Sequence, residues 1–161
     1  MSKKILANLW GRCALLLCIA GVAQAQDTSA FVGTWNLDVA KTQWGGAPAL
    51  KSYTVTIADA GGGKVKSSAQ WVDADGTKGQ IEYTVGLDGA GSPVASYPNA
   101  DTVKMTKGKG NSLHMSLTKD GKLVEWGQYR LSADGKTMHA TEGGKDENGK
   151  KYRWAEVFER Q

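Results

Sequence analysis

Residues 112–150 read SLHMSLTKDGKLVEWGQYRLSADGKTMHATEGGKDENGK, and this stretch decides the fold class. Asp120-Gly121, Asp134-Gly135 and Asn148-Gly149 recur every 14 residues, each followed by a lysine (Lys122, Lys136, Lys150). Asp, Asn and Gly tolerate the positive φ that tight hairpin turns require. Between the turns, Leu113, Met115 and Leu117 alternate with His114 and Ser116, the period of a strand with one buried and one wet face. Strands of about eight to ten residues joined by tight turns produce such a spacing.

The same grammar runs outward through the chain. Asp75-Gly76 and Asp88-Gly89 are further turn dipeptides, and Tyr53, Val55 and Ile57, then Ile81, Tyr83 and Val85, then Val103 and Met105 alternate with polar neighbours. The pattern predicts nine strands, at 32–38, 51–58, 64–72, 77–85, 101–107, 112–118, 122–131, 136–143 and 150–159. Residues 86–100, with Pro93 and Pro98, read as a long irregular segment, and 45–50 as a shorter connection. After the N-terminal segment no run of ten residues shows a 3.6 period. So many antiparallel strands in one small domain predict an all-β, up-and-down barrel of about 8–10 strands, because closure removes the exposed edges. Such a barrel encloses side chains and at most one small ligand.

The first 25 residues read differently. Lys3 and Lys4 precede an apolar run, 14–20, and then Ala23-Gln24-Ala25. A charged start, a short apolar core and an A-x-A site predict a signal peptide cleaved after Ala25, leaving a domain of 26–161 in the periplasm or secreted. Leu17 before Cys18 argues against a lipid-modified cysteine, since bacterial lipoprotein signals resemble one another in having Gly or Ala there. Cys13 and Cys18 leave with the signal, and with them any disulfide or thiolate chemistry. Lys3, Lys4 and Arg12 leave too, so 17 of the 20 basic residues face all 16 acidic ones and the charge falls from +4 to +1. So little net charge gives no field for nucleic acid, and no remaining run is long enough to insert in a membrane.

Phe31-Val32-Gly33-Thr34-Trp35-Asn36-Leu37 carries the G-x-W opening of the calycin superfamily, the lipocalins and fatty-acid-binding proteins, and Glu156-Val157-Phe158-Glu159-Arg160 looks like the terminal strand of the latter branch. The chain from 26 resembles more closely a group of small exported bacterial lipocalin-like proteins, which share G-T-W-x-L-x-x-x-K (through Lys41), Pro-x-Ala-Asp-Thr (98–102) and D-G-K-T (134–137). The resemblance implies a β-barrel with small apolar guests. It also implies a structural pair at the barrel floor, Trp35 beside Gly33, with Arg160 stacked on it and Arg153 the second match. Two departures matter. Gly45-Gly46-Ala47-Pro48 does not form the two helices that follow the first strand in fatty-acid-binding proteins. Glu156 and Phe158 stand where those proteins have an Arg and a Tyr for a carboxylate.

Hairpin register sets which residues face inward. A two-residue loop at Asp120-Gly121 pairs Leu117 with Val124, Met115 with Trp126 and Leu113 with Gln128. Three-residue loops ending at Gly135 and Gly149 pair Arg130 with Met138, Gln128 with Ala140, Ala140 with Glu156, and Met138 with Phe158. The expected cavity lining is then Trp71, Tyr83, Met105, Met115, Trp126, Gln128, Arg130, Glu142, Trp154 and Glu156. Arg130 and Glu156 would form an ion pair that either neutralises itself or orients a guest. Glu156, with Arg130, Tyr83 or Tyr152, is the candidate acid or base.

Other motifs carry less. His114 and His139 alternate against apolar residues and point to solvent, so no metal is expected. Asp73-x-Asp75-Gly76 and 146–149 lack the spaced ligands of a calcium loop, and 61–63 and 86–91 lack the strand-to-helix context of a phosphate loop. Lys104, Lys107 and Lys109 guard a strand edge without interleaved aromatics. The reading is an exported, monomeric, cofactor-free barrel that binds a small apolar or aromatic molecule. The alternatives are a cofactor-free lyase or isomerase using the same cavity, and a solid-cored envelope protein.

Overall fold

A computed structural model describes residues 28–46, 49–145 and 149–161. The expected leader, Ala47-Pro48 and most of the last hairpin loop lie outside the described residues. A 3-10 turn, Ser29–Phe31, precedes ten strands: β1 (Gly33–Leu37), β2 (Leu50–Gly61), β3 (Lys64–Asp73), β4 (Lys78–Gly86), β5 (Ser92–Ala95), β6 (Thr102–Lys107), β7 (Ser112–Lys119), β8 (Lys122–Leu131), β9 (Thr137–Lys145) and β10 (Lys151–Arg160). Every strand pairs antiparallel with its neighbour in sequence, and β1 pairs with β10, so the sheet closes into a barrel.

One strand is added to the expected nine. β5 lies inside the segment read as irregular, where its two short ladders, to Tyr83 and to Val103, leave too brief an alternation to be seen. Pro93 fits because so short a strand has few donors to lose. The core runs down the barrel axis. Val65, Val85, Val103, Leu117, Met138 and Phe158 are at most 2% exposed, each burial contributing about 1.5–3 kcal/mol.

The floor is closed by Phe31 and Trp35. Trp35 is fully buried, and its indole N–H donates to the Phe31 carbonyl at 2.9 Å. The Arg160 guanidinium lies 4.2 Å from the centre of the Trp35 ring and donates to the carbonyls of Ala30, Val32 and Gly135. Gly33 is required beside it: its φ is +145°, and a Cβ there would come within 2.8 Å of Arg160 Nη1.

The expected register fails on one strand. The Asp120-Gly121 turn is the two-residue type with both φ values positive, 49° and 72°, and Thr118 pairs with Leu123. A bulge then leaves Val124 without an opposite residue, so Leu117 meets Glu125, Met115 meets Gly127 and Leu113 meets Tyr129. On the other side, Arg130 pairs with His139 rather than Met138 because four residues, not three, form the loop between Ser132 and Thr137. β8 is therefore turned over by one residue relative to both neighbours. The β9–β10 register, Ala140 with Glu156 and Met138 with Phe158, is as expected.

A candidate ligand cavity walled by carboxyls and phenols

Turning β8 over exchanges the cast of the barrel interior. Gln128 and Arg130 are exposed on the outer face, so the expected Arg130–Glu156 pair does not form. Trp126 also faces outward, lying against Gly143 with the Arg153 guanidinium 5.9 Å from its ring. In their place β8 presents Glu125, Gly127 and Tyr129 to the interior. The alternation of β8 is equally apolar in both registers, so only the bulge at Val124 distinguishes them.

Two connected spaces occupy the barrel. An inner chamber of about 60 Å³ lies among Phe31, Val65, Met105, Met115, Met138 and Phe158. A vestibule of about 660 Å³ runs from it to the surface at Gly45, Gly46 and Asn99. Tyr53, Ile81, Leu117, Glu125 and Glu142 line both, and so mark the junction. The vestibule walls are aromatic: Trp71, Tyr97, Tyr152 and Trp154, with Tyr53 edge-on to Trp71 at 6.0 Å and Trp71 edge-on to Tyr97 at 5.9 Å. Lys119, Lys145, Lys150, Lys151 and Asp73 border it.

The junction is built by glycines within strands. Gly127 stands opposite Glu142, and a Cβ there would sit 2.7 Å from the Tyr129 hydroxyl. The bare backbone lets Tyr129 fold across it and donate to Glu142 Oε1 at 2.5 Å. Gly144 repeats the device: it stands opposite both Glu125 and Tyr152, and a Cβ would sit 2.7 Å from the Tyr152 hydroxyl, which donates to Glu125 Oε2 at 3.2 Å. Trp154 completes the set, its indole N–H donating to Glu142 Oε2 at 3.2 Å. Glycine inside a strand pattern signals such a close approach. Gly127-Gln128-Tyr129 and Gly143-Gly144 were the sequence marks of this site.

Register places Glu125, Glu142 and Glu156 on one diagonal across β8, β9 and β10. Glu142 and Glu156 are 3% and 1% exposed. Among the described residues, neither oxygen of Glu156 has a hydrogen-bond partner. Burial, followed by the nearby Glu142 and Glu125, pushes the Glu156 carboxyl up to about 10. Burial and then Glu142 push Glu125 up to about 8, against the pull of Tyr152. Burial also raises Glu142, although Tyr129 and Trp154 both donate to it. The Tyr83 phenol is pushed up to about 12 by burial, and its hydroxyl meets Met115 Sδ at 3.6 Å, as does that of Tyr129. Burial therefore favours the neutral form of the cavity's carboxyls and phenols.

Of the expected lining residues, Tyr83, Met105, Met115 and Glu142 reach the inner chamber, and Trp71, Glu142 and Trp154 the vestibule. Glu156 is buried on the inner face of β10 but lines neither space. Glu125, Tyr129, Tyr53 and Tyr97 were not expected there. Among the described residues no group of three or more His, Cys, Asp or Glu is arranged to hold a metal ion.

A closed antiparallel barrel of ten strands with an internal cavity has the lipocalin and fatty-acid-binding-protein type of fold. Among solved structures, the chain is similar to Rv2717c from M. tuberculosis, with a TM-score of 0.56 and 16% identity over 83% of this chain and 94% of that one. It is similar also to a mutant of the fluorescent protein UnaG, with a TM-score of 0.55 and 15% identity over 82% and 96% of the two chains. Zebrafish ileal bile acid-binding protein complexed with cholic acid is a looser likeness, at a TM-score of 0.48 and 10% identity over 83% and 100%. No protein-family model and no curated protein sequence matches. The likenesses are of fold.

Proposed function

We propose that this is an exported barrel that binds one small apolar or aromatic molecule in its cavity. The observation that carries the reading is the vestibule, about 660 Å³ and walled by aromatic rings. That volume falls within the roughly 300–1,000 Å³ of small-molecule sites, and a few fixed polar groups among apolar walls are their usual composition. A solid-cored envelope protein has no use for such a space. Catalysis through Glu156 finds less support, because the carboxyl lines neither chamber and its expected partner Arg130 lies on the outer face. Export is supported by the charged start, apolar run and A-x-A site of residues 1–25.

Native mass spectrometry of the protein isolated from the cells that make it tests both parts. The expected spectrum shows a chain beginning at Gln26 with one non-covalent small molecule that gentle activation removes. A chain retaining residues 1–25 would refute export. A preparation free of small molecules, and unable to take up an apolar probe afterwards, would refute binding.

A further inference from the structure

The cavity and its mouth differ in the sign of their ionisable groups. The mouth carries Lys119, Lys145, Lys150 and Lys151 beside Asp73. Among the described residues lining the inner chamber, the ionisable groups are Glu125, Glu142 and tyrosines, with no Lys, Arg or His. Glu156, 1% exposed, projects into the same barrel interior from β10, beside Glu142 on the diagonal, and both its oxygens lack a hydrogen-bond partner among the described residues. A neutral apolar guest has no need of the half-buried Glu125 and the buried Glu142 on the wall of its cavity, since carboxyls are costly to enclose.

We propose that the molecule bound in the cavity carries a basic nitrogen, a primary or secondary ammonium on an apolar body, seated at the junction between Glu125 and Glu142. The proposal rests on the barrel being a small-molecule binder and names the class of molecule. A carboxylate only accepts hydrogen bonds and an ammonium only donates them, so the two inventories match. Tyr129 and Trp154 occupy one site on each Glu142 oxygen, and Tyr152 one on Glu125; each carboxylate oxygen retains acceptor capacity. Tyr152 and Trp154, with ring centres 4.8 Å apart and planes tilted by 34°, stand beside the pair, each donating to one of its carboxyls.

Binding then exchanges one cation for another. Before binding, Glu125 keeps its proton at pH 7, since burial and Glu142 push it up to about 8. On binding, a carboxyl proton leaves to solvent and the carboxylate accepts an N–H from the ammonium; no covalent bond of the guest changes. The groups facing the junction are Tyr129 from β8, Tyr152 and Trp154 from β10, Tyr53 from β2 and Tyr83 from β4, with Lys119 above Leu117 on β7; Glu156 lies buried next to Glu142 on the diagonal without lining either space. None of the phenols ionises near neutrality, as burial raises all four. Amine affinity accordingly rises as pH climbs from 6 towards 8.

Isothermal titration calorimetry with three compounds on one body tests this: naphthalen-1-ylmethanamine, the matching methanol and naphthalene-1-carboxylate. At pH 7 the amine is expected to bind about tenfold or more tighter than the alcohol, the difference a charge-assisted hydrogen bond makes. Repeating the amine titration in buffers of different ionisation enthalpy is expected to show about one proton released, and none for the alcohol. Glu142→Gln and, separately, Glu125→Gln should bring amine affinity down to that of the alcohol, whose own affinity stays within about twofold. Alcohol binding as tight as the amine overturns the proposal while leaving the cavity as a binding site. A carboxylate that binds tightest also overturns it, and places recognition at the lysines of the mouth. If none of the three binds, the proposal falls together with the small-molecule reading.

Discussion

Two regions of this barrel, its floor and the junction inside it, each set ionisable side chains against aromatic rings, and they treat them in opposite ways. At the floor, Arg160 lies flat on Trp35, and its guanidinium donates to three backbone carbonyls. At the junction, Glu125 and Glu142 each receive donors from aromatic residues, while Glu156, buried beside them on β10, receives none among the described residues. A saturated charge is a fixed part of a fold. An unsaturated buried acid is costly and has unused acceptor capacity, which is the condition of a site.

The largest effect that separates the two regions is on stability. Trp35→Ala is expected to lower unfolding free energy by about 3–5 kcal/mol, measured by urea denaturation, because it opens a cavity at the floor and removes the surface on which Arg160 lies. At Glu156 the sign reverses. Glu156→Met keeps the volume and removes two unsatisfied oxygens, and should raise stability by about 1–3 kcal/mol at pH 7. A loss of stability in that variant would mean that Glu156 holds the fold as Arg160 does.

The pH dependence of melting separates them next. Unfolded carboxyls release their protons in the usual carboxylate range, whereas folded Glu125 and Glu156 hold theirs up to about 8 and about 10. Between those limits the folded state binds more protons, so stability is greatest at the low end and falls as pH rises. The turn aspartates Asp38, Asp75, Asp101 and Asp134 are held low by hydrogen bonds, so their contribution is present above the usual range and lost on acidification. The melting temperature should therefore peak near pH 5 and decline towards pH 9, a decline that Glu125→Gln makes shallower. A flat profile from pH 5 to 9 would contradict the buried, protonated state of the junction.

The smallest expected effect lies on the outer wall. Arg130→Gln should change stability by less than about 0.5 kcal/mol and leave binding of an apolar probe unaltered, since the side chain is exposed. A marked loss of binding would restore Arg130 to the interior and overturn the register of β8.

That register also marks the limit of what the residues disclosed. Periodicity and turn dipeptides were sufficient for the barrel, because each strand needs one apolar face and each Asp-Gly a tight turn. They were sufficient too for the inward faces of β3, β4, β9 and β10, where Trp71, Tyr83, Glu142 and Trp154 line the cavity. β8 reads Val124-Glu125-Trp126-Gly127-Gln128-Tyr129-Arg130, with an aromatic residue on each face. Alternation does not choose between Trp126 and Tyr129, and one bulged residue decides. The glycines held the missing information: Gly127 is bare where Tyr129 crosses it, and Gly144 where Tyr152 crosses it and the Val124 carbonyl approaches. β5 was hidden for another reason, being four residues long with a proline.

The most direct test of a ligand-binding barrel is a fluorescence titration with N-phenyl-1-naphthylamine, a neutral apolar probe, against the native chain and an Ile81→Trp variant. Ile81 is 7% exposed and lines both the inner chamber and the vestibule, so the larger ring intrudes on the cavity. Saturable, blue-shifted emission at one probe per chain, lost or strongly weakened in the filled variant, is the predicted result. No saturable enhancement, or the same enhancement in a folded Ile81→Trp protein, would contradict binding inside the barrel.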